Sequence, residues 1–241
     1  MSNFKKIYLS IYRYYPDKDN KPHMKNYIVN VPYDKDIMLL SVLEKIKLEQ
    51  DSTLAFRRSC REGVCGSDAI NINGKNVLSC VTKVFSIKSK KLILRPLPGF
   101  PVIRDLVVDL SIFYKQYERI RPYLLNKQKK MFHSEYRQSQ DDRKKLNGSY
   151  ECILCACCSS SCPSYWWNPD KFIGPAALVQ AYRFIVDSRD TEKLDRLYKL
   201  RDPFSVFRCR SIMNCTTVCP KNINITEIIS KIRLKLLKMF F

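Results

Sequence analysis

Four cysteines in one short run, Cys152, Cys155, Cys158 and Cys162, followed at once by Pro163, set the tightest limit on how this chain can fold. Their spacing, C-x2-C-x2-C-x3-C-P, is that of thiolates wrapped around a cubane of iron and sulfide. Cys157 is left over. Where two such clusters share a chain, the fourth cysteine of each run serves the other cluster, so a second run is required. It is Cys209-Arg-Ser-Ile212-Met-Asn-Cys215-Thr-Thr-Val-Cys219-Pro220, the same frame with Ile212 where the second cysteine should stand. Crossing the fourth ligands assigns Cys152, Cys155, Cys158 and Cys219 to a 4Fe-4S cluster. The other set is Cys162, Cys209 and Cys215. Three thiolates with the apolar Ile212 at the fourth corner cannot hold a fourth iron, so a 3Fe-4S cluster is expected there.

Eleven cysteines would suit either disulfides or metal. They stand two or three residues apart in runs, and no secretory signal opens the chain, so metal and a reducing compartment are the reading. The 241 residues accommodate two medium domains, and the cysteine-rich stretches fall in two separate regions. No apolar run reaches the roughly 18 residues that span a bilayer, so membrane contact is expected to be peripheral. The formal net charge of +20 invites a nucleic-acid reading. Clusters and their thiolates would offset roughly five of those charges, and no basic-aromatic recognition module accompanies the rest. No nucleic-acid partner is expected; lysine-rich coding and an acidic partner or anionic lipid account for the excess.

From the start, Lys5 to Tyr15 sets Ile7, Leu9 and Ile11 against Tyr8, Ser10 and Tyr12, the period of a half-buried strand. A polar turn over Pro16 to Lys21 leads to Tyr27, Val29 and Val31, so an antiparallel pair is expected. Met38 to Leu48 shifts to helical spacing through Leu39, Val42, Leu43 and Ile46, with Asp36 placed to cap the helix. The second chemical stretch follows. A 2Fe-2S cluster of the plant type uses C-x4-C-x2-C and a distant fourth cysteine; here the frame is Cys60-x4-Cys65-x2-Asp68, with Cys80 twelve residues on. Asp68 is read as the third ligand, an oxygen donor that alters potential and acid sensitivity, against the alternative of a surface acid beside the cluster. Gly63 and Gly66 suit a loop whose backbone approaches sulfide closely.

Asn73-Gly74 signals a hairpin between Ile70, Ile72 and Val77, Leu78. A strand over Lys91 to Arg95 and the proline-rich Pro96 to Pro101 close the first domain. Val102 to Tyr117 reads as a helix through Val107, Leu110 and Tyr114, and Asn126 to Gly148 as an exposed connection. Trp166 and Trp167, the only tryptophans, follow Cys162 directly. Their flat apolar faces suit a membrane edge or a ring-shaped ligand, with core packing preferred for Trp166. Helices are expected over Gly174 to Phe184, Thr191 to Lys199 and Ile225 to Leu237. The last sets Ile228, Ile229, Ile232 and Leu236 against a solvated basic face of Lys231, Arg233, Lys235 and Lys238, packed rather than lying on a membrane. His23 and His133 lie in unrelated loops and are given no function. The fold expected is α+β: a plant-type ferredoxin-like β-grasp domain over 1–104, a helix and charged linker over 105–148, and an all-α bacterial-ferredoxin-like dicluster domain over 149–241.

The whole pattern closely resembles the iron-sulfur subunits of succinate dehydrogenase, respiratory complex II. The resemblance runs through Ile11-Tyr-Arg-Tyr14, Ser59-Cys-Arg-Glu-Gly-Val-Cys-Gly-Ser67, Arg95-Pro-Leu-Pro-Gly99, Phe172-Ile-Gly-Pro175 and Cys219-Pro220. It implies that a partner flavoprotein oxidises succinate at FAD and that this subunit, with no catalytic succinate site of its own, passes electrons from 2Fe-2S to 4Fe-4S to 3Fe-4S and on to ubiquinone. It also implies two membrane-anchor subunits, with haem b in them an option, and a ubiquinone contact at Trp167 with Pro163 and Ser164 on the same side and Ile212 at the neighbouring cluster. Family members usually carry a histidine directly after the first cysteine of the second run; here it is Arg210, which stays charged. The absence of a transit peptide and the Lys-, Ile- and Asn-rich composition point to the matrix side of the mitochondrial inner membrane in an organelle-encoded protein, the alternative being the cytoplasmic side of a bacterial membrane. Two other readings compete: a fumarate reductase iron-sulfur subunit, and a basic nucleic-acid-binding protein with a structural cluster.

Overall fold

A computed structural model of the chain describes residues 4–33, 36–127 and 135–240; His133 and part of the expected 126–148 connection lie outside them. The chain divides into two compact units, residues 1–110 with 153–160, and residues 111–152 with 161–241.

In the first unit the alternating segments become β1 (Phe4–Arg13) and β2 (His23–Pro32), paired antiparallel with Ile7 opposite Val29 and Leu9 opposite Tyr27. His23 therefore opens a strand rather than lying in a loop. β3 (Ala69–Ile72) and β4 (Lys75–Leu78) form the expected hairpin, with Asn73 and Gly74 both at positive φ as a two-residue turn requires. With β5 (Lys91–Arg95), parallel to β1 and antiparallel to β3, they complete a five-stranded sheet in the order β2-β1-β5-β3-β4. The helix Leu39–Glu49 lays Leu39, Val42, Leu43 and Ile46 onto Ile7, Leu9, Ile11, Val29, Val31 and Leu94. Each such fully buried aliphatic side chain contributes about 1.5–3 kcal/mol relative to exposure.

Asp36 does not cap that helix. Its carboxylate takes a bond from Lys83 Nζ at 2.5 Å, while the first helical N–H groups, those of Leu39 and Leu40, donate to the carbonyls of Thr82 and Ser79 at 2.9 Å each. The chain flanking Cys80 does the capping instead. Val102 to Tyr117 is also not one helix. β6 (Val102–Arg104) and β7 (Val107–Val108) form a small hairpin, and the helix starts only at Ser111, running Ser111–Arg119. The reason is Asp105, at φ 47° and almost fully buried, whose carboxylate accepts bonds from Arg13 Nε and the N–H groups of Tyr14 and Ala55. Those bonds hold the segment against the sheet domain.

Arg13 extends this into a network. It donates to the Tyr27 hydroxyl at 2.6 Å, to Asp51 at 2.5 Å and to Thr53 at 2.8 Å, and Lys25 reaches Asp51 from outside at 2.6 Å. Burial works to raise the Asp51 carboxyl, yet the bonds from Lys25, Thr53, Tyr27 and Arg13 together hold it well below the usual carboxylate range. Tyr27 is pushed up to about 12, by burial first and then by its bond to Asp51.

The second unit is helical. The expected 174–184 and 225–237 segments are the helices Pro175–Val186 and Ile225–Phe240, which pack together and bury Ala177, Leu178, Ala181, Ile228, Ile229 and Ile232. The helix expected over 191–199 spans Lys193–Lys199, and part of the connection before Cys152 is the helix Gln140–Lys144, capped by the Ser139 hydroxyl. Arg233 does not join the solvated basic face. Its guanidinium donates to the carbonyl of Cys209 at 2.5 Å and of Val206 at 3.2 Å, which ties the last helix to the second cysteine run.

Candidate iron-sulfur sites

In the 60–68 loop, three N–H groups, those of Glu62, Val64 and Cys65, donate to Cys60 Sγ at 3.5, 3.3 and 3.3 Å. They lower its thiol to about 7, Glu62 most and then Cys65 and Val64. Positive φ at Arg61, Gly63 and Gly66 turns these N–H groups inward, the arrangement that receives anionic sulfur. Asp68, 3% exposed, is no surface acid. Its Oδ2 accepts from Ser79 Oγ at 2.9 Å and from the Cys80 N–H at 2.5 Å, while its buried Oδ1 has no hydrogen-bond partner among the described residues. A buried carboxylate oxygen left bare is costly, and an iron at this point would complete it. The Cys80 thiol beside it is pushed up to about 12, by burial first and then by Asp68. Cys60, Cys65 and Asp68 of this loop, with Cys80 bonded to Asp68 from beyond the hairpin, are a donor set that fits a 2Fe-2S cluster.

Segment 153–160 belongs to the same unit. The side chains of Ile153 and Cys155 pack with Leu40, Leu78 and Cys80. A hydrogen bond from Cys157, the cysteine outside the cluster frame, pulls the Cys155 thiol down against the effect of burial. Cys158 is buried in the short helix Cys157–Ser160. The two remaining members of the set, Cys152 and Cys219, belong to the second unit.

Cys162, Cys209 and Cys215 all lie in the second unit, close enough to interact. Burial raises the Cys215 thiol, and the neighbouring Cys162 and Cys209 raise it further. Cys162 is raised by burial and by Cys209, with the N–H groups of Tyr165 and Ser164 pulling the other way. Both cysteine runs bend alike. Leu154 (φ 55°) and Ala156 (φ 63°) flank Cys155, and Ser211 (φ 56°) and Met213 (φ 72°) flank Ile212. Left-handed backbone is rare outside glycine and is held only where its surroundings demand it, so the repeat is conformational as well as spelled. Ile212, 49% exposed, thus sits on the same flanking backbone as Cys155.

The segment around Cys162 runs beside the second run, bonded by Arg208 to Asn168 Oδ1 at 2.6 Å and by Asn214 to the Ser161 carbonyl at 3.2 Å. Its helix Pro163–Trp167 starts on Pro163 and buries Ser164 and Tyr165. Tyr165 packs edge-on to Phe172, and the two tryptophans that follow are left outward. Trp167 is 67% exposed and Trp166 44%, which overturns the core reading of Trp166. Arg210, in the second cysteine run, is exposed as well.

No disulfide joins any of the eleven cysteines. Among the described residues no three His, Cys, Asp or Glu side chains converge on one ion's position, and no helix is long and apolar enough to cross a membrane. Ligands of a cluster are divided among its irons, two at most on each, so no three need converge on one ion's position.

Fold and thiol placement define an iron-sulfur protein built from two cluster-binding domains. Residues 8–115 match the family described as 2Fe-2S iron-sulfur cluster binding domain, and residues 151–224 match the 4Fe-4S dicluster domain. The chain is 56% identical over 229 residues to the succinate dehydrogenase iron-sulfur subunit of Coxiella burnetii, covering 95% of this chain and 96% of that one. A chain of the Mycobacterium smegmatis Sdh1 complex in its apo form superposes with a TM-score of 0.88 at 27% identity, over 98% of both chains. A Helicobacter pylori protein shares the fold alone, with a TM-score of 0.57 at 20% identity, over 97% of this chain and 40% of that one. The chain belongs to the succinate dehydrogenase iron-sulfur subunit family.

Proposed function

We propose that this chain carries electrons one at a time from an FAD-containing flavoprotein, where succinate is oxidised to fumarate, to ubiquinone at a membrane held by two anchor subunits. Cys60, Cys65, Asp68 and Cys80 hold a 2Fe-2S cluster. Cys152, Cys155, Cys158 and Cys219 hold a 4Fe-4S cluster, and Cys162, Cys209 and Cys215 a 3Fe-4S cluster. The bound clusters supply reversible one-electron chemistry; the protein's part is to hold them and to shape their surroundings.

The observation that carries this reading is the bare, buried Oδ1 of Asp68 among three N–H donors to Cys60 and the Cys80 thiol, a site built for iron rather than for a disulfide. Ile212 on the backbone of a ligand position supports the three-iron assignment. The exposed Trp167, beside Pro163 and Ser164 and two helical turns or fewer from Cys162, supports a ring-binding surface at the acceptor end. Arg210 adds a fixed positive charge to that end. The domain bounds proposed are 1–104, 105–148 and 149–241. The protein is peripheral to its membrane, on the mitochondrial matrix side or the bacterial cytoplasmic side. Fumarate reduction is the reverse use of the same relay and nothing in the geometry favours it.

Iron and acid-labile sulfide counted in the anaerobically purified complex, followed by electron paramagnetic resonance during succinate addition, tests the whole proposal. Three distinct centres reduced by succinate are expected. Zinc in place of iron would end it.

A further inference from the structure

Gly66 is a ligand-loop residue with no side chain, yet its surroundings are tighter than those of Gly63 or Gly74. A Cβ added there would stand 2.8 Å from Cys155 Cβ, 2.9 Å from Cys155 Cα and 3.0 Å from the Ile153 carbonyl oxygen, and its φ of +70° already excludes most side chains. The loop of the first cluster and a ligand of the second therefore touch, backbone to backbone. A second contact holds the 153–160 segment to the neighbouring β3–β4 hairpin. Asn71 Nδ2 donates to Asn76 Oδ1 at 2.7 Å, and Asn76 Nδ2 donates to the Cys157 carbonyl at 3.0 Å, all of it buried. A third is the Ser160 hydroxyl, which donates to the Pro98 carbonyl at 2.6 Å.

We propose that Gly66 and Asn76 are positioning residues for electron transfer, a clamp that seats the Cys155 segment on the 2Fe-2S loop and sets the separation of the two clusters. The inference rests on the cluster assignments above and goes beyond them, because the assignments name ligands whereas the clamp names what holds two ligand sets together. The hairpin β3–β4 matters here because its inner amides bond each other and the Cys157 carbonyl, while Asn71 Oδ1 accepts from the Gly74 N–H of the turn. Electron tunnelling falls off exponentially with the distance between centres, so a small lift of the Cys155 segment slows the step without removing either cluster. Gly66→Ala forces that lift sterically. Asn76→Leu forces it differently, by removing the amide that bonds the Cys157 carbonyl and accepts from Asn71 Nδ2 in a buried place.

The test uses the intact complex, with iron and sulfide counted first. In the wild type, spin relaxation of the reduced 2Fe-2S centre should quicken when the 4Fe-4S centre is reduced as well. In Gly66→Ala and in Asn76→Leu, with both clusters present at full count, this enhancement should shrink. Electron arrival at ubiquinone should slow by more than succinate-dependent reduction of a dye that accepts from the flavoprotein. Asn76→Asp should fail like Asn76→Leu, since it lacks the amide donor. Enhancement at the wild-type value in both Gly66→Ala and Asn76→Leu would overturn the clamp. Should either variant fail to assemble, the wild-type measurement decides: no change in relaxation on reducing the second centre means the two sites are not adjacent. Missing clusters in the wild type would instead overturn the ligand assignments.

Discussion

Replacing Asp68 by Asn changes one atom and no volume, and the structure separates its two effects. The amide oxygen can occupy the position of Oδ2 and go on accepting from Ser79 Oγ and the Cys80 N–H. Each bond then weakens from the roughly 1.5–3 kcal/mol of a charged acceptor to about 0.5–1.5 kcal/mol, a loss of about 2–3 kcal/mol over the pair. Against that loss, the substitution removes a buried carboxylate whose second oxygen has no partner, and an uncompensated buried charge costs several kcal/mol. The iron-free Asp68→Asn chain should accordingly melt at or above the wild-type temperature. The loaded protein should respond in the opposite sense. At the position of Oδ1 an amide nitrogen turns N–H toward the site and offers no lone pair, so iron loses a ligand and the count falls by about two per chain. Asp68→Cys, which restores a full thiolate frame, should retain the iron and shift the potential of that centre. The assay is iron and sulfide analysis with paired thermal melts before and after iron removal. A full iron complement with an unchanged potential in Asp68→Asn would refute the ligand role, and a strongly lowered melting temperature of the iron-free variant would refute the account of Oδ1.

Ile212→Cys should let the three-iron centre take up a fourth iron, because Ile212 already has the backbone of a ligand; loss of the narrow near-isotropic resonance of the oxidised three-iron form is the expected readout, and an unchanged spectrum counts against the crossed ligand scheme. Trp167→Leu should spare succinate oxidation with an artificial dye and weaken ubiquinone reduction, whereas equal loss of both would make Trp167 a structural residue. Arg13→Met should cost about 3–5 kcal/mol by leaving Asp51 and Asp105 without their buried cation, measurable by urea unfolding. Asp51 and Tyr27 also predict the pH profile. The Asp51 carboxyl is held below its ordinary value of 3.8, so its contribution is complete above that value and fades as the medium becomes more acid. Tyr27 is raised from 10.0 to about 12, so its contribution is complete below 10.0 and is lost as pH rises through about 12. The combined contribution of these two groups should therefore be constant between these limits and fall outside both.

Much of the fold could be read from periodicity, because burial on one side imposes a repeat of two on β1 and β2 and about 3.6 on the helices Leu39–Glu49 and Ile225–Phe240. Where reading failed, a distant partner had overridden a local pattern. Val107, Leu110 and Tyr114 fit a helical stripe, but Asp105 is bound by Arg13, which lies 92 residues away, and the chain makes a hairpin there. Trp166 has the composition of a core residue. The short helix after Pro163 gives its buried side to Ser164 and Tyr165 instead, and no periodicity exists over five residues to announce it.

The proposed ligand sets could be read from the sequence alone, since thiolate spacing is a property of the covalent chain and iron-sulfur clusters tolerate few spacings. That Asp68 keeps one oxygen bare, that Gly66 lies against Cys155, and that Asn76 bonds a carbonyl 81 residues further on were decided only in the folded molecule. These are contacts between segments remote along the chain. They arise when hydrophobic burial brings β3, β4 and residues 153–160 together, and no local pattern of side chains encodes which atoms will then meet.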